Sequence, residues 1–164
     1  MKYLIFLALL ISCQGVFSQT KNPYSVMKYS HCTINNIFID SITLKSLRNF
    51  KGKERKLTSY RNEENFKKIE RRYFYKNYFD FSEGRIQNFY LLDSNFYFSR
   101  HKIRIGDSEY KIKSLFPASF KEGKKGLNYE IKIDLENTGK FLLIKFKNNK
   151  VFNIRDYNEL GFDQ

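Results

Sequence analysis

The sequence predicts an α+β protein built from two tandem repeats of strand, short helix and antiparallel meander, with the helices and sheets in two layers. Three observations predict it. Phe146, Asn149, Lys150, Val151, Asn153 and Ile154 repeat the frame of Phe81, Gly84, Arg85, Ile86, Asn88 and Phe89, and both frames read as tight hairpins whose turn residues tolerate φ > 0. Ile37, Ile39, Asp40, Ser41, Leu44, Ser46 and Leu47 are echoed by Ile103, Ile105, Asp107, Ser108, Ile112, Ser114 and Leu115, a strand leading through a cap into a short helix. Tyr129, Ile131, Ile133 and Leu135 alternate with Glu130, Lys132, Asp134 and Glu136, the period of a half-buried antiparallel strand.

Residues 1–18 form the first element. Lys2, an apolar run from Leu4 to Ile11, and Val16, Phe17 and Ser18 have the layout of a secretory signal peptide, and the run is too short to cross a bilayer as a helix. Leu10, Ile11, Ser12 and Cys13 also match a bacterial lipobox, in which Cys13 becomes the lipidated first residue. Either processing exports the chain. Residues 19–30, with Pro23 and no periodicity, read as a flexible leader.

Repeat 1 covers residues 31–95. Cys32 to Ile39 reads as a strand, Asp40 and Ser41 as helix caps, and Leu44 to Leu47 as the helix. Residues 48–72 read either as a helical stretch, from the spacing of Phe66, Ile69 and Tyr73, or as a long loop with a ragged strand. Tyr73 to Phe81 and Arg85 to Leu92 form the hairpin around Ser82, Glu83 and Gly84. Repeat 2 covers residues 96–164. Phe96 to Ile105 is its strand, Asp107 or Ser108 caps a helix carrying Ile112, Leu115 and Phe116, and Pro117 stops it. Phe120 to Asn128 reads as a Lys/Gly loop, followed by the meander with turns at Asn137–Gly139 and Asn148–Asn149.

The run Ile105, Gly106, Asp107, Ser108, Ile112, Leu115, Phe116 and Pro117, followed by a meander, resembles the helix-plus-sheet unit of BamE-like outer-membrane lipoproteins. Tandem pairs of such units resemble the β-lactamase inhibitory protein. The likeness covers residues 31–157 at the level of architecture, and it implies a binding or assembly module rather than an enzyme.

Removing residues 1–18 from the 164 leaves 146, enough for a sizeable core without covalent staples. Without Cys13, Cys32 has no intramolecular partner and reads as a small buried residue. The histidines, His31 and His101, lack partners at metal-ligand spacing, and no nucleophile elbow, Walker loop or zinc-protease helix occurs. Asp134 and Glu136 read as the solvated side of a strand, and Gly123 to Gly126 as a surface loop rather than a phosphate cradle. No cofactor or metal is expected.

Losing Lys2 from 30 basic residues leaves 29 against 17 acidic ones, a net of +12. Lysine and the aromatics share AT-rich codons, so net charge alone decides little. Its distribution says more. Residues 45–76 hold twelve basic side chains against four glutamates, interleaved with Tyr60, Phe66, Tyr73 and Tyr75. Arg55, Lys56, Lys67, Lys68, Arg71 and Arg72 are the candidate contact residues. The sequence thus points to an exported, non-catalytic binding or scaffold protein of the bacterial cell envelope acting on a protein partner. The alternative is a binder of lipopolysaccharide, anionic lipid or polysaccharide through this segment, with no nucleic acid expected. Mass spectrometry of the mature N-terminus separates the two processing routes: Gln19 as first residue is expected from simple cleavage, and a diacylglyceryl adduct on Cys13 from lipidation.

Overall fold

A computed structural model describes residues 22–48, 54–61, 68–123 and 126–158. Residues 1–18 with Cys13, and also Phe66, Lys67, Lys124 and Lys125, lie outside the described residues. Among the described residues, with 3-10 turns at Tyr29–His31 and Ile39–Ser41, ten strands and three short α-helices follow in order. They are β1 (Ser25–Met27), β2 (Thr33–Ile34), β3 (Ile37–Phe38), α1 (Leu44–Arg48), β4 (Glu54–Arg61), β5 (Lys68–Phe74), β6 (Asn77–Ser82) and β7 (Arg85–Leu91), then α2 (Glu109–Leu115), α3 (Pro117–Gly123), β8 (Asn128–Leu135), β9 (Lys140–Lys147) and β10 (Lys150–Asn158).

The expected pair of helix-on-sheet repeats is overturned. Eight strands form one continuous sheet in the order β1-β8-β9-β10-β7-β6-β5-β4, and β2 with β3 makes a separate two-stranded hairpin. The molecule is mostly sheet. The reason is the antiparallel pairing of β7 with β10, which fuses the two meanders edge to edge. The helices, of five, seven and seven residues, are too few and too short to form a layer of their own.

Local chemistry explains the turns. Asn148 and Asn149 both have positive φ between the paired Lys147 and Lys150, and Glu83 and Gly84 do the same between Ser82 and Arg85. These are two-residue loops with both central residues left-handed, the twist that a hairpin needs. Asn35 and Asn36 also have positive φ, so the expected strand from Cys32 to Ile39 is instead the β2–β3 hairpin. Tyr75, at φ 57°, turns the chain within what read as one strand from Tyr73 to Phe81. Glu54–Arg61 and Lys68–Phe74 form the β4–β5 pair rather than a helical stretch, and Phe66 of the expected helical spacing lies outside the described residues. Phe96 to Ile105 forms no strand; a turn joins single bridges of Phe98 to Ile103 and to Ile34.

The helix starts match their caps. The Ser108 hydroxyl accepts from the Lys111 N–H (3.3 Å), and Thr43 and Ser46 cap α1 reciprocally, in place of Asp40 and Ser41. Pro117 ends α2 as expected but also begins α3, because a proline at the first helical position loses no helical hydrogen bond. Residues 120–123 are therefore helical rather than loop. Within the expected leader, β1 pairs parallel with Ile133, Asp134 and Leu135 of β8.

Paired residues on neighbouring strands share a face. The first face carries Phe74, Phe79, Phe81, Phe89, Leu91, Ile154, Ile144 and Ile131. Ile42, Leu47, Phe96, Phe98, Ile103, Ile112, Phe116 and Phe120 from the helices and loops complete that core. Phe79, Phe81, Phe89, Phe96, Phe98 and Phe146 are fully buried, each contributing about 1.5–3 kcal/mol of apolar transfer. Cys32 is buried in the same core, 3.9 Å from the Met27 sulfur, and burial pushes its thiol up to about 12.

The β7–β10 junction is narrow. Only Leu91–Ile154 and Tyr90–Arg155 are in register. Beyond them the Asp156 carboxylate accepts the Phe89 N–H (2.8 Å). On the other side, Gly106 N–H donates to the Val151 carbonyl (2.7 Å), and Val151 N–H to the Asp107 carbonyl (2.9 Å). Thr43 bridges to Arg85 on β7. The lead-in segment of α1 thus pairs with β7, and that of α2 with β10, where the two strands do not pair with each other.

Burial raises the Asp156 carboxyl to about 6, against the lowering effect of Phe89 N–H and Lys140; Asp80 adds to the rise. An unfolded aspartate titrates near about 3.9. The folded state is therefore favoured by this group below that value and loses the advantage as pH rises through 6. The loss is on the order of 3 kcal/mol by pH 7. Asp156→Asn keeps an oxygen for Phe89 N–H, so the variant should gain melting temperature relative to wild type at about pH 7.5 and lose that gain at about pH 4. Thermal melts at the two pH values check this; parallel shifts at both would contradict it.

Candidate functional site

The predicted basic residues do not converge. Arg55 and Lys56 lie on the edge strand β4 at a register shift, Lys67 is outside the described residues, and Lys68, Arg71 and Arg72 lie on β5. Alternation along β5 sends Lys68 and Arg72 to one face and Arg71 to the other. Glu70 sits between Lys68 (3.4 Å) and Arg72 (3.0 Å), and bonds from Arg72 and then Lys68 hold its carboxyl below the usual range. Arg71 grips the buried Asp80 with both ends of its fork, at 2.7 and 2.8 Å. These three cations already meet carboxylates.

The second face of the sheet brings together what sequence reasoning missed. Tyr73, Tyr78, Tyr90, Arg155, Leu143 and Lys132 stand opposite one another in a single row across β5, β6, β7, β10, β9 and β8. The Tyr78 and Tyr90 rings stack at 4.4 Å, with the Arg71 guanidinium 4.1 Å from the Tyr78 ring centre. Arg155 lies 5.6 Å from the Tyr90 ring centre and donates to its hydroxyl at 3.0 Å. Lys132 reaches between Phe141 and Tyr157, 5.4 and 5.3 Å from their centres. Leu143 is buried but stands outside the main core, as does Ile69.

The result is a half-buried belt of rings and cations. Each cation–ring contact is worth about 0.5–1 kcal/mol at such exposure. Burial and then the neighbouring Tyr90 push the Tyr78 phenol above its ordinary range, so it stays a neutral hydrogen-bonding group. The Asp80 bonds keep the Arg71 guanidinium charged. Such a surface offers cations to anionic groups and ring faces to flat apolar ones. The signal was present in the sequence as Tyr or Arg at every second position of Arg71/Tyr73 and Arg155/Tyr157, opposite the core-facing set.

Other chemistry singled out in the sequence is dispersed. Asp134 accepts from the Asn22 side chain, and Glu136 lies past the end of β8, where its N–H donates to the Met27 carbonyl. His101 is pushed below the ordinary histidine range by burial, then by Arg100, His31 and Lys111, so the two histidines share a cationic neighbourhood. Among the described residues, no three His, Cys, Asp or Glu side chains are grouped to hold a metal ion.

Comparison with protein-family models, with curated proteins and with solved structures finds no match to this chain.

Arg71→Ala leaves the Asp80 carboxylate, only 2% exposed, without its bidentate partner. Urea unfolding should show a loss of about 3–5 kcal/mol. Lys68→Ala, at a side chain 68% exposed, should change stability by less than about 1 kcal/mol. Equal effects at the two positions would remove the distinction.

Proposed function

We propose that the protein is an exported, non-catalytic binding or scaffold module of the bacterial cell envelope, and that it docks an acidic protein partner on the second face of its sheet. The belt from Tyr73 to Lys132 carries this reading. Protein interfaces are enriched in Tyr and Arg, whose large, stiff or forked side chains give contact area at low entropic cost. The described helices and the β2–β3 hairpin bring their apolar side chains to the first face, so the belt faces away from the core. Lys132 and Arg155 give it positive charge beside the rings, which suits carboxylates on the partner.

The alternative, polyanion binding centred on residues 45–76, rests on the charge of that segment. It ranks second because the basic residues do not converge: Lys68 and Arg72 lie on one face of β5, Arg71 on the other, and Lys67 is outside the described residues.

Immobilised full-length protein should retain a stoichiometric protein from envelope extract. Lys132→Glu combined with Tyr157→Ser should weaken that complex at least about tenfold, while Lys68→Ser leaves it unchanged. Titration of the purified pair measures this. Absence of any stoichiometric partner, or a partner indifferent to the belt variant, would discard the reading; dependence on Lys68 together with a steep salt slope would favour the polyanion alternative.

A further inference from the structure

Five large hydrophobic side chains are notably exposed among the described residues: Val26, Tyr75, Tyr110, Leu127 and Phe152. Four of them lie at one end of the sheet. β10 runs antiparallel to β7, and β7 to β6, so the β9–β10 turn and the β5–β6 turn with Tyr75 fall at the same end. Leu127 immediately precedes Asn128, which pairs with Lys147 beside the β9–β10 turn. The Glu109 N–H donates to the Asn149 carbonyl (2.9 Å), which fixes the start of α2, and so Tyr110, at that turn. Phe152 occupies the bulge between Val151 and Asn153 and borders a depression of about 340 Å³ with Asn128 and Lys145.

The exposures are large where they decide the matter: 82% for Tyr110, 79% for Leu127 and 40% for Phe152. These side chains come from three separate segments: the start of α2, the residue before β8, and β10. Lys147 and Lys150 stand exposed between them. Of the carboxylates on these segments, Glu130 meets Lys145 (3.5 Å) and Asp107 meets Lys111 (2.7 Å).

We infer that this end of the sheet docks onto an anionic phospholipid surface. Exposed apolar side chains with lysines beside them match the layering of such a surface, an apolar phase beneath a layer of phosphates. Tyr110, Leu127 and Phe152 enter the boundary between headgroups and acyl chains, and Lys147 and Lys150 meet the phosphates. The strands then stand away from the membrane, leaving the aromatic and cationic belt open along the side of the molecule. Phe152 borders the belt's face, but at the end of the strands beyond the Tyr73–Lys132 row, and docking there goes beyond the proposed protein-binding role.

The test is co-flotation of the full chain with vesicles of phosphatidylcholine alone or with added phosphatidylglycerol. All proteins carry the same residues 1–18, so differences between variants report the sheet end. Wild type should float with the anionic vesicles in preference to the neutral ones. The combined variant Tyr110→Ser, Leu127→Ser, Phe152→Ser should bind them at least about tenfold more weakly, and so should Lys147→Glu with Lys150→Glu. Val26→Ser, at the other end of the sheet, and Lys132→Glu, on the belt, should float like wild type. The Lys132→Glu arm separates failure here from failure of the proposed protein-binding role. Circular dichroism confirms folding, and the lysine pair stands in if the triple variant misfolds. Equal flotation by all variants, or no flotation of wild type, overturns the inference. So does light scattering showing a wild-type dimer that the triple variant breaks, with no vesicle binding, because the apolar tips then belong to a contact between two copies.

Discussion

The seam between β7 and β10 carries the architecture. Two antiparallel meanders, each hairpin-linked and locally specified, become one sheet through just two residue pairs, Leu91–Ile154 and Tyr90–Arg155. Past those pairs the strands need other partners, because an unsatisfied buried N–H costs about 1–3 kcal/mol. The molecule meets that need with a side chain and with loops: Asp156 takes the Phe89 N–H, and residues 106–109 take over the start of β10. Asp156 is buried, so the seam holds a group whose charged form the core disfavours. Sheet continuity, the placement of α2 and the alignment of the Tyr90–Arg155 row all follow from this one joint.

The two faces of the sheet differ in kind. The first relies on six fully buried phenylalanines and the aliphatic side chains around them, a non-directional apolar core. The second relies on directional contacts: a bidentate ion pair, stacked tyrosines and cations set against rings. At about 0.5–1 kcal/mol per cation–ring contact, the second face contributes far less than the first. Apart from the Arg71–Asp80 pair, its composition is therefore less bound by stability than that of the first face.

Much of this was legible in the sequence, and the boundary is physical. Asn148–Asn149 and Glu83–Gly84 announced their hairpins because few residues accept φ > 0. The alternation from Tyr129 to Leu135 announced its strand because one face must be dry. Ser108 and Pro117 marked the limits of α2 through capping and the missing N–H. What stayed hidden was non-local. Nothing in residues 85–91 says that they will meet residues 150–158, so an echo between two hairpins read as two repeats instead of one sheet. Ser25–Met27 has too few residues to show a period, and only the exposed flank of β8 made it a strand. The charged run on β5 hid its own division, since period-two alternation puts Arg71 beside Tyr78 and Arg72 beside Glu70. Charge density along a chain is not charge density on a surface.

Cys32 gives the molecule a built-in reporter of its own integrity. The sulfur has no solvent-exposed surface, lies against Met27, and has its ionised form suppressed by burial. Electrophiles and oxidants attack thiolates, so this sulfur meets neither while the core is shut. Crosslinking between chains or adduct formation at this position accordingly requires the fold to breathe, and its rate measures how often the interior opens.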